Sequence, residues 1–476
     1  MRMDHALAEA APVGLPPTLF EPGRNCWQVA RARRAALLVD AAAYFAALDD
    51  ALRQATRTIT IVGWDFDGRI RLREDDAAAP PLGPFLRDLV EARPDLELRI
   101  LVWSVGTLHG PGAALPLLFG AEWQRHPRIR VKLDTCHPLY AAHHQKIVCI
   151  DDSVAFVGGI DLTIQRWDTP AHPAEDPRRI DPDGEPYGPV HDTHMAVDGE
   201  AARAVGDLVR ARWQAATGEA WAPAEAGPIW PRGLDPDFTE VPVAIARTMP
   251  ALEGQPSVEE AAALTADMLG RARHHISIEA QYLTARFVEE VLAAQLDRPD
   301  GPDIVVVLTR RSHGLAERLA MGAPRDQIIR RLQAADRFGR LFVAYPVVPG
   351  PDGDCQVLVH SKLVIVDDVA LRVGSSNLNN RSVALDTECD LAIEGRDPAT
   401  RRTIAALRDR LLAEHLGVAP EAVTAAIRAE GSLVRAIASL NGGKRGLRVF
   451  DVPAEDGLID PLLGADLLDP ERPFGT

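Results

Sequence analysis

The sequence contains two copies of one motif whose side chains could act on a phosphate group. Residues 144–151 read HQKIVCID and residues 360–367 read HSKLVIVD, so each copy is H-x-K-x4-D. In both copies a glycine follows the aspartate by seven residues, at Gly158 and Gly374. Side chains two residues apart lie on the same face of a β-strand, so we expect the histidine and lysine of each copy to point the same way within a strand.

The use of lysine supports a functional interpretation of both copies. The chain has 52 Lys plus Arg, and its four lysines are Lys132, Lys146, Lys362 and Lys444. Two of the four therefore stand in the motifs, while other positions use arginine. A compact ammonium group suits a site that needs a point charge. A buried histidine beside a chance ion pair explains one copy, but it does not explain two copies with matched glycines downstream.

Two histidines with lysines and an amide predict phosphoryl transfer through a covalent phosphohistidine. One imidazole would attack phosphorus, and the other would protonate the departing alkoxide and then activate water or an alcohol. Lys146, Lys362 and Asn377 would stabilise the non-bridging oxygens. The attacking imidazole needs an acceptor for its other ring nitrogen. The candidates are Asp192 and Glu388, which come from matched strands after each motif. The alternative interpretation is that both are carboxylates at strand ends that face solvent.

The other motif residues are expected to be structural. Asp151 and Asp367 lie beyond the face of the histidine and lysine, so we expect each to hold its lysine or the neighbouring backbone. The glycines after each motif predict close approach of the backbone to another group. The glycines are Gly158, Gly159 and Gly374. Two further residues of the same segments, Asp161 and Ser375, are also expected to be structural.

Zinc is the main alternative for a histidine cluster. Histidines close together in the chain are one or three residues apart (at 143 and 144, 191 and 194, 274 and 275), so they point to opposite sides of a strand, and no cysteine completes a set. We therefore expect no metal in the site and no cofactor for the chemistry.

The elements around the motifs repeat, which predicts two α/β halves with one site between them. Helices and strands alternate from residue 35 to residue 216 and again from 258 to 416. His144 follows Ile61 by 83 residues, and His360 follows Ile278 by 82. The predicted division is a flexible arm (1–25), a first half (26–220), a Pro-rich linker (221–245), a second half (246–418) and a C-terminal appendage (419–476).

Composition places the chain among ordinary globular proteins. It is 46% apolar and 25% charged, and its net charge of −16 disfavours a stable nucleic-acid partner, which needs basic residues. The five cysteines form no C-x-x-C pair, and no apolar run reaches 18 residues. We expect a cytoplasmic protein, peripheral to a membrane at most. Its oligomeric state is open, and a monomer is compatible with both motifs lying in one chain.

With these motifs, the chain resembles the phospholipase D superfamily, and eukaryotic-type phospholipase D in particular. The segments that carry the resemblance, besides the motifs, are 156–162 (FVGGIDL), 166–169 (RWDT), His191 and Asp192, 278–282 (IEAQY), 374–382 (GSSNLNNRS), 386–388 (DTE) and 414–417 (EHLG). Val190 stands where that group usually has tryptophan. The resemblance implies two α/β-sandwich halves with one site at their pseudo-two-fold interface. It also implies that His144 is the nucleophile and His360 the acid and base; which carboxylate orients which histidine stays open.

The resemblance implies hydrolysis of glycerophospholipids at a membrane or micelle surface, giving phosphatidic acid and a free headgroup. A primary alcohol in place of water would give transphosphatidylation. Candidates for the substrate rim are Arg166, Trp167, Gln281, Tyr282 and the apolar residues 115–119. Alternatives are a cardiolipin-synthase-like phosphatidyltransferase, a nuclease, and a non-catalytic module that binds anions.

Overall fold

Two similar halves make up the part of the chain that the computed structural model describes. These residues are 18–76, 78–103, 120–138, 141–310, 315–452 and 469–470, without the side chains of 315–321. The protein is of the mixed α/β class, as the sequence predicts, and most of its described strands form one large sheet.

The first half contains eight strands and three α-helices among the described residues. In chain order they are β1 (Gln28–Val39), α1 (Asp40–Gln54), β2 (Thr58–Gly63), α2 (Leu82–Ala92), β3 (Glu97–Trp103), β4 (Ile129–Asp134), β5 (Ile147–Ile150), β6 (Val154–Gly158), β7 (Val190–His191), β8 (Thr193–Asp198) and α3 (Gly199–Thr217). A short 3₁₀ turn, Glu122–Gln124, precedes β4.

The second half repeats this order and adds elements at its end. They are β9 (Phe238–Met249), β10 (Val258–Glu259), α4 (Glu260–Gly270), β11 (His275–Ala280), α5 (Arg286–Asp297), β12 (Asp303–Leu308), α6 (Leu315–Ala335), β13 (Leu341–Gly350), β14 (Gly353–Gln356), β15 (Leu358–Val359), β16 (Lys362–Val366), β17 (Ala370–Gly374), α7 (Arg381–Ala384), β18 (Glu388–Glu394), α8 (Pro398–Leu416), α9 (Pro420–Glu430), α10 (Leu433–Leu440) and β19 (Gly446–Val449).

The strand order confirms the duplication. From the centre outward, the first half pairs β1, β8, β6, β5, β2, β3 and β4. The second half pairs β9, β18, β17, β16, β11, β12 and β13 in the same order. In each half the three outermost strands of this series are parallel and the others antiparallel. Each motif therefore occupies the same place in its half.

The halves meet at the antiparallel pair of β1 and β9, which runs from Gln28 opposite Ile245 to Ala35 opposite Phe238. One core cluster contains apolar residues of both halves, including Trp213 of α3 and Leu407 of α8, while two further clusters lie mainly within single halves. The shared cluster fixes one half against the other, because close-packed interiors do not slide freely. Among the described helices, none has both the length and the apolar character needed to cross a bilayer.

Most predicted elements are confirmed within a few residues, but the first helix is not. The apolar spacing predicts a helix over 35–55, whereas residues 35–39 belong to β1 and the helix begins at Asp40. The end of β1 pairs with β8, from Ala35 opposite Val197 to Val39 opposite Thr193. Tertiary pairing between distant strands overrides the local helical spacing here.

Three predicted boundaries also shift. In the arm, residues 1–17 lie outside the described part, but Leu19 and Phe20 are buried in a core cluster of the second half, so residues 18–25 are not a loose segment. The linker ends before residue 238, where β9 begins. In the appendage, β19 pairs with β13, which makes it part of the second half.

Candidate active site

Both motif histidines lie just before a strand rather than within it. His144 and Lys146 precede β5, and His360 precedes β16, whose first residue is Lys362. The predicted common strand is therefore wrong for the histidines. The reason is that their backbone amides bond to the opposite half: His144 N donates to Thr387 O at 3.0 Å, and His360 N donates to His191 O at 2.8 Å.

Each histidine pairs with a carboxylate from the other half. His144 Nδ1 lies 3.0 and 3.1 Å from the two carboxylate oxygens of Glu388. His360 Nδ1 lies 2.7 Å from Asp192 Oδ2. The two candidate carboxylates thus orient the imidazoles across the interface, with Nδ1–H donating and Nε2 free to act. Neither carboxylate is exposed to solvent, so the alternative of solvent-facing side chains is wrong.

Two hydroxyls hold the Glu388 carboxylate in place. Ser375 Oγ donates to Oε2 at 2.6 Å, and Ser382 Oγ donates to Oε1 at 2.7 Å. The backbone N–H of Cys389 donates to Ser375 Oγ at 3.0 Å, which fixes the direction of that hydroxyl. Ser375 is among the residues predicted to be structural, whereas Ser382 is not. The sequence signal for Ser382 is a hydroxyl residue close in the chain to the candidate carboxylate Glu388.

The two motif lysines differ in their partners. Lys146 Nζ forms a buried ion pair with Asp161 Oδ2 at 2.8 Å. Lys362 Nζ lies 3.1 Å from His360 Nδ1 and donates to Gln281 Oε1 at 3.3 Å. Asp161 corresponds in the repeat to Asn377, which carries no charge. Within the described residues, Lys362 has no carboxylate at ion-pair distance, so its charge is available to an anion.

Asn377 lies beyond the end of β17, two residues after Ser375. Its side chain is buried, and its Oδ1 accepts no hydrogen bond from the described residues. Its backbone N–H donates to Ser382 Oγ at 3.1 Å. The amide is thus held near the Glu388 carboxylate with side-chain hydrogen-bonding capacity left over.

The motif aspartates hold backbone, as predicted for a structural role. Asp151 accepts hydrogen bonds from the backbone N–H groups of Thr56, Arg57 and Thr58 at 2.6 to 2.8 Å. Asp367 accepts from the N–H groups of residues 273–275 at 2.7 to 2.9 Å. Each carboxylate fixes the start of the strand next to its own motif strand, β2 or β11.

The glycines allow the predicted close approach. A Cβ atom on Gly159 would lie 2.1 Å from Asp192 Oδ1, and one on Gly158 would lie 2.5 Å from the backbone of His194. A Cβ on Gly374 would lie 2.5 Å from Cα of Asp390. Gly159 therefore leaves the space that the Asp192 carboxylate occupies beside His360.

Burial sets the protonation of the site. It lowers the pKa of both His144 and His360 well below the ordinary value, and the lysine charges lower it further. It raises the pKa of Asp192 to about 7 and that of Glu388 to about 8, and lowers the pKa of Lys362 to about 7. Unprotonated imidazoles beside cations suit nucleophilic attack on an anionic phosphodiester.

The predicted rim residues separate into two groups. Gln281 bonds to Lys362 and, through Nε2, to the hydroxyl of Tyr282 at 2.8 Å, and the charge of Arg166 contributes to the lowered pKa of His360. Trp167 is buried, with the Arg178 guanidinium 4.7 Å from its ring centre, so a lipid-facing role for it is wrong. The apolar residues 115–119 lie outside the described part.

Comparison with known families decides the assignment. Residues 125–227 match a family model described as phospholipase D, and residues 265–409 match one described as cardiolipin synthase, PLD-like domain. Each matched segment contains one motif. The chain belongs to the phospholipase D superfamily. It carries two such domains, each with one copy of the motif.

Relatives of this chain include a phospholipase D and a cardiolipin synthase. Phospholipase D A of Dictyostelium discoideum is 25% identical over 467 residues, covering 81% of this chain and 36% of that protein. Cardiolipin synthase of Halalkalibacterium halodurans is 25% identical, covering 74% of this chain and 61% of that protein. This chain thus spans about a third of the first relative's length and less than two thirds of the second's.

Among solved structures, a phosphatidylserine synthase from Haemophilus influenzae Rd KW20 has the same fold. The TM-score is 0.56 at 13% identity, and the match covers 81% of this chain and 89% of that one. A phospholipase D-type fold explains why both motifs converge on one interface.

Proposed function

We propose that this protein is a phospholipase D-type phosphodiesterase that hydrolyses glycerophospholipids to phosphatidic acid and a free headgroup. The observation that carries the proposal is the pair of histidines that are each oriented by a carboxylate from the opposite half. The similarity to a phospholipase D and to a cardiolipin synthase supports a phospholipid as the substrate, and the net charge of −16 disfavours a nucleic acid.

The chemistry begins at His144. Its Nε2 attacks phosphorus while Nδ1–H donates to Glu388, and the bond between phosphorus and the headgroup oxygen breaks. His360 gives a proton from Nε2 to that oxygen, so the headgroup leaves as an alcohol. His360 then removes a proton from water, whose oxygen attacks phosphorus and breaks the N–P bond. Phosphatidic acid forms and His144 is restored.

His360 must hold a proton before the headgroup can leave, although its pKa is lowered in the free protein. A bound phosphodiester anion offsets the positive charge of the nearby lysines and adds a negative charge beside the ring. Both effects raise the pKa of His360. Substrate binding thus supplies the condition for general-acid catalysis, and no metal takes part in these steps.

A phosphatidyltransferase is the second candidate, favoured by the match of residues 265–409 to the cardiolipin synthase model and by the cardiolipin synthase relative. The first half of the reaction is the same. The difference lies in the acceptor, because the hydroxyl of a second lipid would replace water. His360 would play the same part with either acceptor, because each one loses a proton from an O–H group as it attacks phosphorus.

The test is a product analysis by mass spectrometry. Purified protein is incubated with phosphatidylcholine, phosphatidylethanolamine, phosphatidylglycerol or single-stranded DNA, with and without ethanol. We expect phosphatidic acid, and phosphatidylethanol when ethanol is present. Cardiolipin from phosphatidylglycerol would favour the transferase, and degraded DNA beside intact lipids would contradict both lipid functions.

The same assay is run on variants that show whether the two motif histidines are responsible for turnover. His144→Ala and His360→Ala should each reduce turnover by at least about 10³-fold. The matched control is His274→Ala, since His274 is exposed. Circular dichroism spectra must stay unchanged. A non-catalytic module would bind lipid equally well with either substitution and give no product with the native sequence.

A further inference from the structure

A second cluster of histidines and carboxylates lies behind the active site. His191 Nδ1 is 3.1 Å from Asp40 Oδ1 and 2.9 Å from Glu414 Oε1. His172 Nε2 is 3.0 Å from the same Glu414 oxygen and 3.5 Å from Asp40 Oδ2. These four side chains come from β7, the loop after residue 168, the start of α1 and the end of α8. We call them the four-ligand cluster.

Each imidazole of the four-ligand cluster is oriented by a further carboxylate on its other nitrogen. His172 Nδ1–H donates to Asp168 Oδ2 at 2.8 Å, and His191 Nε2–H donates to Glu279 Oε2 at 2.9 Å. A carboxylate behind each imidazole is the usual outer partner of a metal-bound histidine, because it selects the tautomer and raises the basicity of the ligand nitrogen. Both inner nitrogens then point at the two remaining carboxylates.

The outer carboxylates have further partners, whereas one oxygen of the inner pair has none among the described residues. Arg179 Nη1 donates to both oxygens of Asp168 at 2.9 and 3.0 Å. Glu279 also accepts from Ser361 Oγ at 3.0 Å and from His415 Nε2 at 2.8 Å. By contrast, Asp40 is fully buried and its Oδ2 accepts no hydrogen bond from the described residues.

A buried carboxylate oxygen without a donor needs a cation or a proton. Asp40 Oδ2 lies 3.5 Å from Nε2 of His172, and the hydrogen bond from His172 Nδ1 to Asp168 orients that ring. The buried charges of Asp40 and Glu414 sum to −2, which one divalent cation would neutralise while both histidines stay neutral.

We propose that the four-ligand cluster binds one divalent transition-metal ion, with Zn²⁺ as the best fit. Metal–ligand bonds of about 2.0–2.1 Å in a tetrahedron place neighbouring ligand atoms about 3.3 Å apart. His191 Nδ1 and His172 Nε2 lie 2.9 and 3.0 Å from the same Glu414 oxygen, and they lie 3.1 and 3.5 Å from the two different oxygens of Asp40, one of which would bind the metal. Two nitrogen and two oxygen ligands fill the tetrahedron, which is typical of a structural rather than a catalytic site.

The position of the site gives it a specific effect. His191 is followed by Asp192, whose Oδ2 lies 2.7 Å from His360 Nδ1. The backbone oxygen of His191 also accepts from His360 N at 2.8 Å. A metal on His191 would therefore tie the loop after residue 168, α1 and α8 to the junction of β7 and β8, where Asp192 pairs with His360.

The sequence does not show this cluster, because its members are far apart in the chain. The histidine pairs close in sequence include His191 with His194, yet the partners of His191 are residues 151 positions before it and 223 after it. The alternative to a metal is a network in which both imidazoles carry a proton, since two protons give the same charge balance.

The test measures metal in the full-length, tag-free protein by inductively coupled plasma mass spectrometry. After incubation with Zn²⁺ and gel filtration, we expect about one zinc per chain, and thermal stability that rises with bound zinc. Loading with Co²⁺ should give visible absorption typical of tetrahedral coordination. Zinc below about a tenth per chain, with thermal stability unaffected by Zn²⁺, would overturn the proposal in favour of the protonated network.

Variants locate the metal. His172→Ala should lose the zinc, while His274→Ala, with an exposed imidazole outside the cluster, should keep it. If His172→Ala does not fold, Asp168→Asn takes its place and should weaken zinc affinity by about 10- to 100-fold in competition with a chelator. Zinc that is retained by Asp168→Asn with undiminished affinity, or lost by His274→Ala, would show that it binds elsewhere.

Discussion

Replacing Glu388 by glutamine should abolish most activity while leaving the protein folded. The native carboxylate accepts Nδ1–H of His144 and hydroxyl hydrogen bonds from Ser375 and Ser382. A glutamine amide can turn its NH₂ toward the ring, which forces Nδ1 to accept and places the proton on the attacking Nε2. Loss of the carboxylate behind a catalytic imidazole lowers kcat by about 10⁴-fold in a comparable triad, so we expect 10³- to 10⁴-fold, roughly, here.

The effect of Glu388→Gln on the free energy of unfolding should change sign between low and high pH. Burial raises the pKa of Glu388 from 4.5 to about 8. In the unfolded chain the carboxyl ionises near 4.5, so the native protein loses stability as the pH rises from there to about 8. The loss amounts to roughly 5 kcal/mol at most. Glutamine does not ionise, and its own cost is roughly 1–3 kcal/mol for poorer hydrogen bonds to the two serines.

Glu388→Gln should therefore be less stable than the native protein at pH 5 and at least as stable at pH 9. The assays are headgroup release from a soluble short-chain phosphatidylcholine and urea unfolding at both pH values. Glu290→Gln, an exposed position on α5, is the matched control and should change neither. A kcat within about threefold of the native value, or a stability difference that does not depend on pH, would refute the role assigned to Glu388.

Three further predictions follow from single contacts. Gly159→Ala should lower kcat by about 10- to 100-fold in steady-state kinetics, because its Cβ would displace the Asp192 carboxylate. The control Gly188→Ala, which has open space around it, should leave kcat unchanged. Asp151→Asn should lower the free energy of unfolding by roughly 2–4 kcal/mol with kcat per folded molecule unchanged, as measured by urea unfolding and active-site titration. The pH profile of kcat/KM should be bell-shaped, because Glu388 must be ionised (pKa about 8) and Lys362 must keep its charge (pKa about 7), and Glu388→Gln should lose the rising limb.

The repeated motif and the helix–strand alternation could be predicted because they depend on local patterns. The sequence predicts a strand over 303–308 and a helix over 399–416, and the structure has them at Asp303–Leu308 and Pro398–Leu416. The start of the first helix could not be predicted, because residues 35–39 have apolar side chains compatible with either structure. Pairing with β8, far along the chain, determines their conformation.

The candidate site was predictable residue by residue, but its pairing was not. Spacing identified both histidines and both carboxylates as members of equivalent positions. It could not show that His144 takes the carboxylate of the second half and His360 that of the first, since a pairing within each half satisfies the same repeat. Only the contact between the halves distinguishes the two arrangements.

The exchanged carboxylates make the site a property of the interface rather than of either half. Neither half on its own contains a motif histidine together with its orienting carboxylate, so the duplicated motif can act only when the halves are held in register. The β1–β9 pair and the core cluster shared by both halves provide that register. The backbone bonds from His144 to Thr387 and from His360 to His191 then couple each imidazole to the half that carries its carboxylate. A displacement of one half therefore alters both histidine–carboxylate pairs together, so the packing between the halves would affect both steps of the proposed reaction.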